Sequence, residues 1–143
     1  MFEAARAIQF ITATLTGDAQ AMAAAPGGVW EGMAPPGTPT PYYVVSHQGD
    51  GDILTANARR LGNSAVYQIV AYAPASAYPA LVTAADRIDA LFGRIPSTPG
   101  ALPTSGGVTI ESCYREQQVA LSELVGAIQW NRAGGLFRLI TAQ

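Results

Sequence analysis

Apolar residues Phe2, Ala5, Ile8, Ile11 and Leu15 recur every three or four positions at the start of the chain, with Glu3 and Arg6 on another face. That spacing predicts an amphipathic helix, ending near Gly17. Asp18 is a good N-cap for a second short helix over residues 19–25, which Pro26, Gly27 and Gly28 terminate. Val29, Trp30 and Glu31 read as a short strand. Residues 33–41 hold four prolines and one glycine, so this stretch is neither helix interior nor central strand and must be an extended loop. Residues 42–47, Tyr42-Tyr43-Val44-Val45-Ser46-His47, are aromatic and β-branched and read as a strand.

Residues 48–63 start with glycines and aspartates, carry Arg59 and Arg60 near their end, and read as a long excursion. Residues 64–73 place apolar side chains on both faces, as a central strand does. A third helix is expected over 77–92, with Leu81, Ala84, Ala85, Ile88 and Phe92 on one stripe. Residues 95–107 hold three prolines and three glycines and read as loop, and 108–116 alternate as a strand. The window 119–128 fits either a short helix, through Leu121, Leu124, Val125 and Ile128, or a bent strand. A turn at Ala133-Gly134-Gly135 then leads into a terminal strand over 136–140. Two helices, strands, one helix and more strands make an α+β fold: a single domain with a largely antiparallel sheet and helices packed on one face.

Composition narrows the function. At 143 residues the chain is sized for one domain. Charged residues are 13 % of it, about half the ~25 % typical of soluble domains, and 26 alanines make up much of the apolar content. A surface so poor in charge fits either coverage by partners or a neutral, alanine-rich monomer, and composition does not decide between them. Eight arginines, no lysine and a net charge of -2 leave no basic stripe for gripping phosphates. No stretch approaches the ~18 apolar residues of a membrane-spanning helix, and no signal peptide is expected. The one cysteine, Cys113, excludes an internal disulfide and fits a reducing compartment.

Catalytic chemistry finds little to stand on. His47 is the one histidine and has no visible partner nucleophile. Asp50 and Asp52 begin like a calcium loop, but the remaining ligands do not follow. Asp86 and Asp89 sit one helical turn apart beside Arg87, as a solvated face would have them. Cys113 in an alternating strand reads as a packed residue, and Trp30 and Trp130 as anchors of a core or an interface. No catalytic, cofactor-binding or metal-binding residue is assigned, and the chain is not expected to be an enzyme.

One series of motifs runs nearly the length of the chain: Leu15-Thr16-Gly17-Asp18, Gly28-Val29-Trp30-Glu31-Gly32, the segment from Pro35 to Pro41, Tyr42-Tyr43-Val44-Val45-Ser46, Tyr67-Gln68-Ile69-Val70-Ala71-Tyr72, and Asn131-Arg132-Ala133-Gly134-Gly135-Leu136-Phe137-Arg138. In this order, with the 77–92 helix between them, they resemble the tail terminator (tail completion) family of long-tailed bacteriophages. The resemblance implies a structural virion protein at the head-proximal end of the tail, assembled in the host cytoplasm. It would form a hexameric homo-oligomeric ring on the major tail tube protein, end tube growth and offer a docking surface to the head connector or stopper protein. Genome DNA would pass through its lumen without sequence-specific binding. Two other readings fit: a head completion or stopper protein of the same virion, and a small α+β enzyme or ligand-binding domain using His47, Asp50 and Asp52.

Overall fold

The computed structural model of the protein describes residues 3–95 and 102–142. Phe2, and the part of the expected 95–107 loop that spans 96–101, lie outside them. Helix α1 (Glu3–Thr16) buries Ala4, Ala7, Ile11 and Leu15, while Ala5 and Ile8 are half-buried. The stripe is thus turned slightly from the expected one, with small alanines on its buried side. Asp18 caps α2 (Ala19–Ala24): its Oδ1 accepts the Ala21 N–H at 2.7 Å. The same carboxylate accepts a fork from Arg87, Nε at 2.8 Å and Nη2 at 2.6 Å. Arg87 belongs to α3 (Tyr78–Phe92), whose buried residues are Leu81, Ala84, Ile88 and Phe92. One carboxylate therefore starts α2 and fastens it to α3.

Seven strands form one sheet: β1 (Val29–Glu31), β2 (Tyr42–Leu54), β3 (Arg60–Pro74), β4 (Arg94–Ile95), β5 (Thr104–Ser105), β6 (Val108–Val125) and β7 (Ile128–Ala142). Their order is β1-β2-β3-β7-β6-β4, with β5 also paired to β6. Among the described residues only the β1–β2 pair is parallel. The helices pack on one face, where Tyr43, Val45, Tyr67, Ile69, Phe137 and Leu139 from the sheet meet Ile11, Leu15, Leu81, Ile88 and Phe92. Each such side chain, fully buried, is worth about 1.5–3 kcal/mol. This is the expected α+β class in a single domain, and 33–41 is the expected loop.

Four sequence readings are corrected or resolved by pairing. Residues 48–63 are not an excursion: β2 runs on through Gly49, Asp50, Gly51 and Asp52, opposite Val66, Ala65, Ser64 and Asn63 of β3. Poor local strand propensity is overridden by a partner strand, with a register shift between His47 and Gly49. The tip closes over residues 55–59, where Thr55 Oγ1 accepts the Arg59 N–H at 3.0 Å. The ambiguous window 119–128 is strand, then a tight turn at Gly126 (φ 64°) and Ala127, then strand again. Leu121, Leu124, Val125 and Ile128 are all exposed, so their helical spacing marks no buried face.

Ala133-Gly134-Gly135 is no turn either; it lies inside β7, between β3 and β6. A Cβ on Gly134 would stand 2.1 Å from the Ile69 carbonyl oxygen and 2.8 Å from the Val70 Cα. The glycine permits close approach of two central strands instead of reversing the chain. Likewise Ile95 of β4 and both residues of β5 pair with β6 inside the 95–107 stretch read as loop.

Two outcomes follow from this packing. Gly134→Ala is expected to destabilise the fold by about 3 kcal/mol, the upper end of overpacking costs, because the obstacle is backbone. Gly51→Ala, whose Cβ would meet nothing within 4 Å, should cost much less; urea titrations of the two variants check the contrast. The second concerns pH. Arg87, then the Ala21 N–H, hold the Asp18 carboxyl down from 3.8 to about 2. A depressed carboxyl stabilises the fold above its unfolded pKa and ceases to as pH falls through the folded one. The melting-temperature gap between wild type and Asp18→Asn should be full at neutral pH and close as pH drops from about 4 to about 2.

Candidate functional site

The residues with catalytic potential end up in structural roles. His47 lies inside β2, exposed, its ring 5.4 Å from that of Tyr67 and its Nε2 3.9 Å from Asp50 Oδ2. Asp50 and Asp52 point toward the helix-bearing side, where Asn63 Nδ2 approaches Asp50 at 3.3 Å and Arg60 Nε donates to Asp52 at 2.9 Å. Arg60 also donates from Nη2 to Glu3 at 2.6 Å. The cluster is an ion-paired tie between α1 and the β2–β3 hairpin. Among the described residues no group of three or more histidines, cysteines, aspartates or glutamates could hold a metal ion.

Asp86 and Asp89 do not work as a pair: Asp89 Oδ1 accepts from Arg115 Nη1 at 2.9 Å, joining α3 to β6. Arg87, which reads in sequence as their neighbour on a solvated face, is committed to Asp18. Only a partner 69 residues away reveals that. Trp30 is half-buried and donates its Nε1–H to Gly27 O at 2.8 Å. An open groove of about 620 Å³ between α2 and α3 is floored by Ala23, Ala24 and Ala90, and its charged edge is Asp86 with the already paired Arg87. It converges no nucleophile with a base.

What the fold offers instead is surface. The sheet face opposite the helices is covered by no helix among the described residues and carries the side chains that alternate with the core: Tyr42, Tyr72 and Arg132 at one level, Val44 and Val70 at the next, then Leu136 and Arg138. Tyr42 and Tyr72 stack at 5.7 Å, and Arg132 Nη1 donates to the Tyr72 hydroxyl at 3.2 Å. Burial is the main reason that the Tyr42 phenol is raised above its ordinary pKa. Arg138 is fixed by Glu116 and by Ser64 Oγ at 2.8 Å. Val44 and Val70 are buried even without a helix above them. This makes a half-apolar plate in which the stacked tyrosine rings and both arginines are held by neighbouring side chains.

The plate is flanked by two hairpin ends. The β2–β3 end exposes Leu54 and Leu61, and the β6–β7 end exposes Leu121, Leu124, Val125 and Ile128. Beyond Val45 the outer edge of β2 is unpaired, and so is that of β6 beyond Tyr114, among the described residues. Sequence reasoning missed both ends as such. The signal for the second was Gly126-Ala127 between two alternating stretches.

Cys113 is buried; its thiol donates to Phe92 O at 3.3 Å, and burial pushes its pKa up to about 12. It carries almost no thiolate near neutral pH. A thiol reagent should therefore leave the native protein unlabelled at pH 7–8 and modify it stoichiometrically in denaturing urea, as mass spectrometry of the two reactions would show.

No family model matches the sequence, and no curated protein matches it. The fold does have a solved counterpart. A chain from the virion of a native gene transfer agent particle superposes with a TM-score of 0.63 at 17 % sequence identity, covering 93 % of this chain and 92 % of that one. At that identity the likeness is one of fold, and it extends over almost the full length of both chains.

Proposed function

We propose that the protein is a non-enzymatic structural component of a virion, a tail terminator that caps the tail tube as a ring, ends tube growth and presents the docking surface for the head connector. The observation that carries the reading is the fold shared, end to end, with a chain of a gene transfer agent virion. The order of motifs from Leu15-Thr16-Gly17-Asp18 to the Asn131–Arg138 segment supports the finer assignment. Contact surfaces without a catalytic constellation suit it too. A ring of identical subunits needs two different contact patches on each copy, and a cap needs two further faces, one for the tube and one for the connector. A chain with a net charge of -2 and no lysine would let DNA pass through the lumen without holding it. No helix among the described residues is long and apolar enough to cross a membrane.

Deletion of the gene from the particle that encodes it tests the reading by electron microscopy. Tails of irregular, excessive length that fail to join filled heads are expected. Uniform tails attached to heads would overturn the proposal, and uniform tails left unattached would move the protein one step up, to the connector or stopper.

A further inference from the structure

The two hairpin ends lie at opposite ends of the sheet. β3 starts opposite the C-terminal end of β7, Gly62 facing Ala142, and finishes opposite its beginning, Pro74 facing Trp130. The β2–β3 tip therefore projects past one end of the central pair, and the β6–β7 tip past the other. Together they hold six of the eleven large apolar side chains exposed among the described residues, Leu124 being 73 % exposed. Among the described residues each tip also bears one charge whose side chain makes no hydrogen bond or ion pair: Arg59 beside Leu54 and Leu61, and Glu123 among Leu121, Leu124 and Val125, felt within its own chain by the Tyr42 phenol. The other charges nearby are already engaged, Arg60 with Glu3 and Asp52, and Arg132 with Tyr72.

From this we infer that the β6–β7 tip of one copy docks on the β2–β3 tip of the next, its leucines against Leu54 and Leu61 and Glu123 on Arg59. The occupant is a second copy of this chain, because the two ends match in apolar character and oppose in charge. Each end is a poor partner for itself: a symmetric contact would set Arg59 against Arg59 or Glu123 against Glu123. The contact is head-to-tail, so repetition gives a closed ring when the rotation between copies divides a full turn and an open filament when it does not. The inference rests on the ring reading for its biological sense and on the two tips for its geometry.

Disulfide trapping of the purified protein tests it without a tail. With Leu54→Cys and Leu124→Cys in one chain, mild oxidation should give a ladder of covalent oligomers beyond the dimer; buried Cys113 stays out of the exchange. Either cysteine alone should stop at dimer. Adding Arg59→Glu to the double-cysteine chain should slow the ladder about fivefold, the scale of an exposed charge pair, and adding Glu123→Arg as well should restore it. Absence of a ladder, or a ladder indifferent to charge reversal, overturns the contact. The outcome separates from that of the gene deletion: a ladder with normal tails in the deletion keeps the contact and removes the terminator, and overlong tails without a ladder do the reverse.

Discussion

Backbone pairing of β3 with β7 is the constraint on which the architecture depends. β2–β3 and β6–β7 are each hairpins that could form locally, and an isolated two-stranded hairpin is marginal in water. The thirteen-residue register from Gly62–Ala142 to Pro74–Trp130 turns them into one sheet and gives the helices a floor wide enough to cover. Gly134 is part of that constraint, since the Ile69 carbonyl occupies the place of its missing Cβ. Residues of β3 and β7 then dominate the core through Tyr67, Ile69, Phe137 and Leu139. Long-range pairing of this kind also sets the direction of the tips, because antiparallel hairpins joined edge to edge through their second arms must point their turns in opposite directions.

The helical layer is held by fewer, more polar ties. Asp18 unites a cap and an ion pair, Arg60 spans Glu3 and Asp52, and Asp89 meets Arg115. Each joins elements distant in sequence, so their combined effect is to fix how α1, α2 and α3 lie on the sheet more than to add large stability. Tyr43 shows the same economy: its hydroxyl reaches up from the core to donate to Ala21 O at 3.1 Å, and burial raises its pKa to about 12. The sheet's other face has no such covering helix among the described residues.

What the sequence disclosed is what short-range chemistry decides. The Asp18 cap, the 77–92 helix, the proline-rich loop and the strands at 42–47 and 64–73 each carry a local signal, and the folded chain has all of them. Glycine is where reading fails, because a turn and a close backbone approach demand the same residue. Gly49 and Gly51 looked like a loop and Gly134-Gly135 like a reversal; all four are strand. Gly126, at φ 64°, does turn the chain, as Gly106 and Gly107 do between β5 and β6, and nothing local sets these apart from the strand glycines. The contacts of the candidate residues carried no local signal: His47 Nε2 lies 3.9 Å from Asp50 Oδ2, Asp52 accepts from Arg60, and the Cys113 thiol donates to Phe92 O. The engagement of Arg87 with Asp18 was invisible, since no spacing rule spans 69 residues.

Charge bookkeeping bears on how such a subunit would assemble. Of eight arginines, Arg60, Arg87, Arg115 and Arg138 are held in intramolecular ion pairs. The outward field is therefore weaker than an already low charge content implies, and long-range steering contributes little to encounter. Specific contact then depends on short-range apolar matching, which is slow to find and easily lost between free copies. A template that gathers subunits side by side raises their effective concentration and makes weak contacts sufficient. Under the proposed terminator function this would be useful, because a ring that closes readily in solution would be built away from the tube end it must seal, while a ring too weak to close alone would form where the tube presents its last layer.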